Sequence, residues 1–78
     1  MTGQPPLQIR VTVGHVFCLA KFRDGNDKMT ARSAAGARSA ALYLAQKKFE
    51  RFASDIQLRE IKLPAPERNV RIFTAFVK

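Results

Sequence analysis

The sequence predicts a small α+β domain in which one long helix packs on an antiparallel sheet of four or five strands. Three observations support this fold class. Residues 7–13 alternate between apolar and polar side chains, as in a half-buried strand. Residues 30–54 are rich in alanine and place apolar side chains at helical spacing, and residues 69–78 form a strongly apolar strand. The expected element order is ββ(β)αββ, with a short third strand.

The chain begins with a polar lead followed by the first strand. Residues 1–6 contain two consecutive prolines, which block both a helix and a central strand. We therefore expect a flexible lead at 1–6 and a single domain at 7–78. Gly14 separates the first strand from an apolar run at residues 16–22. Because one unbroken strand of that length would exceed the usual range of roughly three to ten residues, a bend, a bulge or a turn is expected at Gly14.

The segment before the helix contains a turn signal. Asp24 and Gly25 form a pair that is favoured in tight turns, since both types tolerate positive φ. Residues 28–31 are then expected to pair back on the preceding strand as a short third strand. The alternative is an earlier helix start that is capped by Asp27.

The helix is predicted at residues 30–54, with Thr30 or Ser33 as its N-cap. Gly36 costs the helix about 1 kcal/mol relative to alanine, so it indicates a frayed first turn or close packing there. Steps of about 100° per residue place one apolar arc towards the sheet. This arc consists of Ala34, Ala37, Ala41, Leu44, Ala45, Phe49 and Phe52, with Leu42 at its edge.

Two further strands are predicted after the helix. In residues 56–63 the apolar positions change parity between Leu58 and Ile61, so a bulge near residues 59–60 is expected. Residues 64–69 have the composition of a loop. The last strand is apolar on both faces, whereas one helix covers only one of them. The surplus implies a second cover, which would be a crossing strand, a second copy of the chain or a binding partner.

The sequence contains no recognisable catalytic or metal-binding constellation. His15 and Cys18 are the only residues of their types; in a strand they point to opposite faces. Two ligands would also fall short of a tetrahedral zinc site. The carboxylates are scattered, and the glycines form no phosphate-binding fingerprint. We therefore expect a protein that is not an enzyme and that uses no metal and no cofactor.

Compartment follows from the cysteine usage and from the absence of targeting signals. A single cysteine in an apolar run is typical of a buried small residue in a reducing environment. The chain start lacks the pattern of a signal peptide, and no apolar run approaches the roughly 20 residues that span a bilayer. A cytoplasmic protein that does not bind membranes is expected.

The charge balance points to an anionic partner. The chain has 14 Lys and Arg against 6 Asp and Glu, a net charge of +8, which favours nucleic acid or an acidic protein surface. The cluster Lys47, Lys48 and Arg51 is the sharpest candidate, although the helix macrodipole also favours cations at that end. The predicted contact residues are Lys47, Lys48, Arg51, Arg32, Arg38, Arg10, Arg71 and Tyr43.

Two functions are therefore predicted from different classes. The first is a small nucleic-acid-binding module, for DNA or RNA, that contacts backbone phosphates with little base specificity. The alternative is a protein-binding adaptor or inhibitor, of the small type that phages and mobile elements encode, which docks on an acidic surface of its partner. A homodimer formed through the last strand is compatible with both.

Overall fold

The computed structural model describes residues 5–25, 27–62 and 68–78. Across these residues the chain forms a five-stranded antiparallel sheet and one α-helix. The strands lie side by side in the order β3-β2-β1-β5-β4, and a single 3-10 turn at Ala53–Asp55 leads from the helix into β4. In chain order the elements are β1 (Leu7–Val13), β2 (Cys18–Phe22), β3 (Thr30–Ser33), α1 (Ala37–Phe49), β4 (Ile56–Ile61) and β5 (Val70–Val77). The predicted fold class and element order are confirmed.

The core lies between α1 and one face of the sheet. Alternate strand residues such as Ile9, Val11 and Phe73 point towards the helix and are buried. The helix contributes mostly small side chains, which allow the sheet to come close, and Leu44 and Phe49 supply the bulk. The buried helix residues are Ala37, Ala40, Ala41, Leu44, Ala45 and Phe49.

The first hairpin turns at Gly14, as predicted. The Gly14 N–H donates to the Phe17 carbonyl at 3.1 Å, and a Cβ at Gly14 would lie only 2.7 Å from that oxygen. Glycine is therefore the residue that fits this turn. The four residues between β1 and β2 leave His15 exposed, whereas Cys18 is buried. A second turn follows β2, where the Asp27 N–H donates to the Asp24 carbonyl at 3.2 Å.

The predicted start of the helix is wrong by seven residues. Thr30–Ser33 instead forms β3, which pairs with β2 from Lys21↔Thr30 to Cys18↔Ser33. This segment is extended and not helical, because a strand buries its alternate residues Ala31 and Ser33. The Ser33 hydroxyl accepts from the Ala35 N–H at 3.0 Å, so it stabilises the turn after β3. Gly36, with φ 137°, is the N-cap.

The predicted end of the helix is also too late. Glu50 adopts a left-handed conformation with φ 55°, which ends α1 at Phe49. Phe52 was expected on the buried arc but lies beyond this end and is 78% exposed. Ala34, at the other end of the same arc, is exposed because it precedes the helix. Both errors have the same cause. The prediction extended the helical spacing of apolar residues beyond the two ends of the actual helix.

The predicted bulge in the fourth strand is absent. Pairing between β4 and β5 runs without interruption from Ile56↔Val77 to Ile61↔Ile72. The change of parity has another explanation: Ile56 and Leu58 face the helix, whereas Ile61 lies on the opposite face. Leu63 and residues 64–67 of the predicted loop lie outside the described residues. Of the two loop residues that the structure describes, Asn69 has φ 63°, and its carbonyl accepts from the Val13 N–H at 2.7 Å.

A candidate nucleic-acid interface on the open sheet face

The sheet has one face that α1 covers and one that no described helix or strand covers. Residues that pair directly across antiparallel strands point to the same side, so the register defines both faces. We call the uncovered side the open face. Its strand residues are Thr30 and Arg32 of β3, Leu19 and Lys21 of β2, Gln8, Arg10 and Thr12 of β1, Val70, Ile72, Thr74 and Phe76 of β5, and Gln57, Arg59 and Ile61 of β4.

The charged strand residues that the structure describes on the open face are all basic. Four of its strand residues are basic, and all four are exposed: Arg10, Lys21, Arg32 and Arg59. Among the strand residues that the structure describes, no Asp or Glu lies on this face. Arg10 and Lys21 are direct cross-strand partners, so two of the cations are neighbours. The face therefore presents a concentrated positive surface on a protein whose net charge is already +8.

A fifth cation lies at the margin of the open face. Arg23 follows β2 by one residue, and its Nη1 donates to the side-chain oxygen of Gln8 at 2.9 Å. The backbone N–H of Arg23 also donates to the Gln8 carbonyl at 3.1 Å. These two bonds anchor Arg23 beside β1. The positive surface thus continues past the end of the hairpin strands.

Two arginines of the open face lie over phenylalanine rings. The Arg32 guanidinium is 5.3 Å from the Phe17 ring centroid, and the Arg59 guanidinium is 5.8 Å from that of Phe76. Such contacts are worth about 0.5–1 kcal/mol at exposed sites. Because β3 and β4 are the two edge strands, these pairs stand at opposite sides of the sheet, and the two strands that carry the arginines are about 19 Å apart at a spacing of about 4.8 Å per strand.

The centre of the open face is apolar. Ile72 of β5 is only 3% exposed, although it points away from the helix and does not belong to the core beneath α1. Ile61, its direct partner on β4, and Val70, two residues before it on β5, are half-buried. The predicted apolar surplus of the last strand is therefore real. β5 lies between β1 and β4, so its backbone is already paired and a second copy could reach it only through the side chains of the open face.

The structure separates the residues that the sequence predicted as contacts. Arg10 and Arg32 lie on the open face. Arg38, Tyr43, Lys47 and Lys48 belong to α1 and Arg51 follows it, so they lie on the other layer. Arg71 faces the helix side of β5, since it pairs with Val11. The predicted set is thus not one surface.

Several of the helix-layer cations already have partners within the protein. Lys47 Nζ donates to the Thr30 carbonyl at 3.1 Å, which ties α1 to β3. Lys48 Nζ lies 2.7 Å from an Asp27 carboxylate oxygen, and its hydrogen bond, with a further bond from the Met29 N–H, lowers the pKa of Asp27. These contacts stabilise the fold and give the lysines a structural role.

Arg71 is held in the same way by a carboxylate. Its Nε donates to Glu60 Oε2 at 2.9 Å, and its Nη2 bonds the second carboxylate oxygen. The hydrogen bonds lower the pKa of Glu60 and raise that of Arg71. The guanidinium also lies 5.4 Å from the Phe73 ring centroid. Arg71 therefore contacts Glu60 and Phe73 on the helix side of the sheet and does not lie on the open face.

The contact residues predicted from the sequence did not include Lys21, Arg59, Phe17 or Phe76, which lie on or beside the open face. The sequence did contain an indication. Each of these residues lies an even number of positions from another open-face residue on or beside its own strand, so the two point to the same face. What was lacking was the pairing of β1 with both β2 and β5, which joins these positions into one face. Phe73, on the opposite face of β5 from Phe76, is a core residue.

Neither a metal centre nor a membrane segment is found in the described part of the chain. Within residues 5–25, 27–62 and 68–78, no three His, Cys, Asp or Glu side chains come together as a metal site. No helix in those residues has the length and apolar character needed to cross a membrane. Comparison of the chain with protein-family models, curated proteins and solved structures found no match.

Proposed function

We propose that this protein binds nucleic acid on the open face of its sheet. The observation that supports the proposal is the segregation of charge: the strand residues of this face include four cations and no described anion. A backbone of phosphates is the common cellular polymer that such a surface attracts. Phosphate contacts carry no sequence information, so binding is expected to be largely independent of sequence.

The arrangement of the cations suits an extended chain of phosphates. Arg32 and Arg59 stand near the two edges of the sheet, and Arg10 and Lys21 lie between them. A strand laid across the sheet would pass over all four. Arginine also forms paired hydrogen bonds to phosphate oxygens, and the stacking of Arg32 and Arg59 on rings limits the freedom that those side chains would lose on binding.

The test is binding of fluorescent DNA and RNA oligonucleotides, measured by anisotropy over a range of salt. If four phosphates are neutralised on a single strand, the slope of log K against log salt is about −3, so affinity falls about 50-fold between about 50 and about 200 mM salt. Complete absence of binding to DNA and RNA at low salt would refute the proposal.

Two matched double variants locate the surface. Arg32→Gln with Arg59→Gln removes two cations from the open face, and we expect the salt slope to fall by about half. Arg38→Gln with Arg51→Gln removes the same charge from exposed positions on the helix layer and should leave most of the affinity. The reverse ranking would place binding on the helix layer and contradict the open-face proposal.

A second candidate function is docking on an acidic protein surface. The half-buried apolar side chains of the open face, Ile61, Val70 and Phe76, favour it, because phosphates need no apolar contact whereas protein interfaces bury apolar side chains at their centre. A pull-down from the native host, with wild type and the open-face double variant compared, would separate the two. Recovery of nucleic acid without a stoichiometric protein would count against the adaptor.

A further inference from the structure

The open face contains a groove beside the β1–β2 turn. Its volume is about 520 Å³, within the range of about 300–1,000 Å³ that is usual for ligand sites. Thr12, Leu19 and Lys21 line it from the strands, and His15, Val16 and Phe17 line it from the turn. The groove therefore combines apolar and aromatic walls with a cation.

The turn beside this groove contains two side chains, Val16 and Phe17, that are not needed to form the turn. Residues that favour turns are Gly, Asn, Asp, Ser and Pro, and Gly14 already meets the steric need of this one. Val16 is nevertheless 79% exposed and Phe17 is 38% exposed. Two adjacent apolar side chains are thus held at the edge of a basic surface, and neither contributes to the core beneath α1.

From this geometry we infer that the groove accepts an unpaired nucleobase, so that the protein prefers single-stranded over duplex nucleic acid. This inference rests on the proposed function. A base that enters the groove stacks on the exposed part of the Phe17 ring, since aromatic rings stack with every base. Lys21 in the groove and Arg32 over the ring are then beside the phosphates that flank the base. In a duplex the bases are paired and cannot enter.

Charge complementarity argues for a base on a phosphate backbone and against an apolar peptide. A wholly apolar occupant would leave Lys21 and Arg32 without a counter-charge. A nucleotide supplies both an apolar ring face and an anion within one repeating unit, which matches the combination of ring, apolar wall and cations found here.

The test compares three probes of about 12 nucleotides, a length within the known site sizes of about 4–16 nucleotides. They are a single strand, the same strand with abasic residues and the matching duplex. The abasic strand keeps the phosphates and lacks the stacking surfaces. We expect the natural single strand to bind about 5- to 150-fold more tightly than the abasic strand, which corresponds to one stacked base.

Variants at Phe17 assign the preference to the groove. Phe17→Leu keeps apolar bulk without a ring, so it should reduce single-strand affinity to nearly that of the abasic strand and leave abasic binding unchanged. Phe17→Tyr should retain the preference. Phe52→Leu makes the same change at an exposed phenylalanine outside the open face and should have no effect.

The outcomes separate this inference from the proposed function. Equal affinity for natural and abasic strands would overturn the inference and leave phosphate binding intact. An unchanged preference in Phe17→Leu would also overturn it, because the base would then stack elsewhere. Failure of all three probes to bind at low salt would overturn the proposed function as well. The probe comparison uses the wild-type protein, so it stands even where a variant fails to fold.

Discussion

Arg71 and Glu60 form a bidentate ion pair on the helix-covered side of the sheet, with Arg71 Nε 2.9 Å from Glu60 Oε2. Glu60 pairs with Phe73 across β4 and β5, and Arg71 lies over the ring of Phe73. An arginine that looks from the sequence like a surface contact is therefore paired with a carboxylate.

This pair should make stability depend on pH. Because the hydrogen bond from Arg71 lowers the pKa of Glu60 in the folded protein, the pair stabilises the fold at pH values above the ordinary glutamate range. That contribution is lost as the pH falls through the lowered pKa. Both side chains are partly exposed, at 45% and 39%, so the contribution is a few tenths to about 1 kcal/mol.

The measurement is urea unfolding followed by circular dichroism at about pH 7 and about pH 3. Glu60→Gln should lower the free energy of unfolding at the higher pH and show a smaller loss on acidification than wild type. Glu50→Gln makes the same chemical change at the end of α1, and its free energy of unfolding at about pH 7 should stay within about 0.5 kcal/mol of wild type. A Glu60→Gln profile parallel to wild type would exclude this linkage.

Gly36→Ser should destabilise the protein, although serine is among the best N-cap residues. Gly36 has φ 137° and ψ 175°, a conformation that is essentially restricted to glycine and costs other residues about 1–3 kcal/mol. The gain of serine over glycine at an N-cap is only a few tenths of a kcal/mol, so strain dominates. We expect a net loss of about 1–2 kcal/mol, measured as a lower urea midpoint.

Gly25→Ser is the matched control for this prediction. A Cβ at Gly25 meets no heavy atom within 4 Å, and its φ is not in the range that favours glycine. The change in the free energy of unfolding should therefore stay within about 0.5 kcal/mol. If Gly36→Ser proved more stable than wild type, the described conformation at the start of α1 would be wrong.

Leu44→Ala and Phe52→Ala should differ strongly, although both residues belong to the apolar arc that the sequence predicts. Leu44 is 0% exposed in the core, so its truncation leaves a cavity and should cost about 2–5 kcal/mol. Phe52 lies after the end of α1 and is 78% exposed, so its truncation should change stability by no more than about 0.5 kcal/mol. Urea unfolding measures both, and comparable losses would show that Phe52 is buried in solution.

Local pattern in the sequence was sufficient for the fold class, for β1 and for the hairpin turn. The alternation at residues 7–13 and the need for glycine at position 14 depend on neighbouring residues only. The core half of α1 was likewise predictable, because Leu44, Ala45 and Phe49 repeat at helical spacing. For the site, the sequence predicted a basic surface, and the structure places Arg10 and Arg32 of the predicted contact residues on the open face.

Pairing between distant segments decided the rest. The sequence predicts residues 30–33 as part of the helix. They pair with β2 as the strand β3 instead, so the helix begins only after Gly36. In the same way, Lys21, Arg10 and Arg59 become one surface only because β1 pairs with β2 and β5, and β5 with β4. The sequence by itself determined which residues alternate and how much charge the chain carries. Only the tertiary structure decided which of those charges share a face, since cross-strand register depends on partners far apart in the chain.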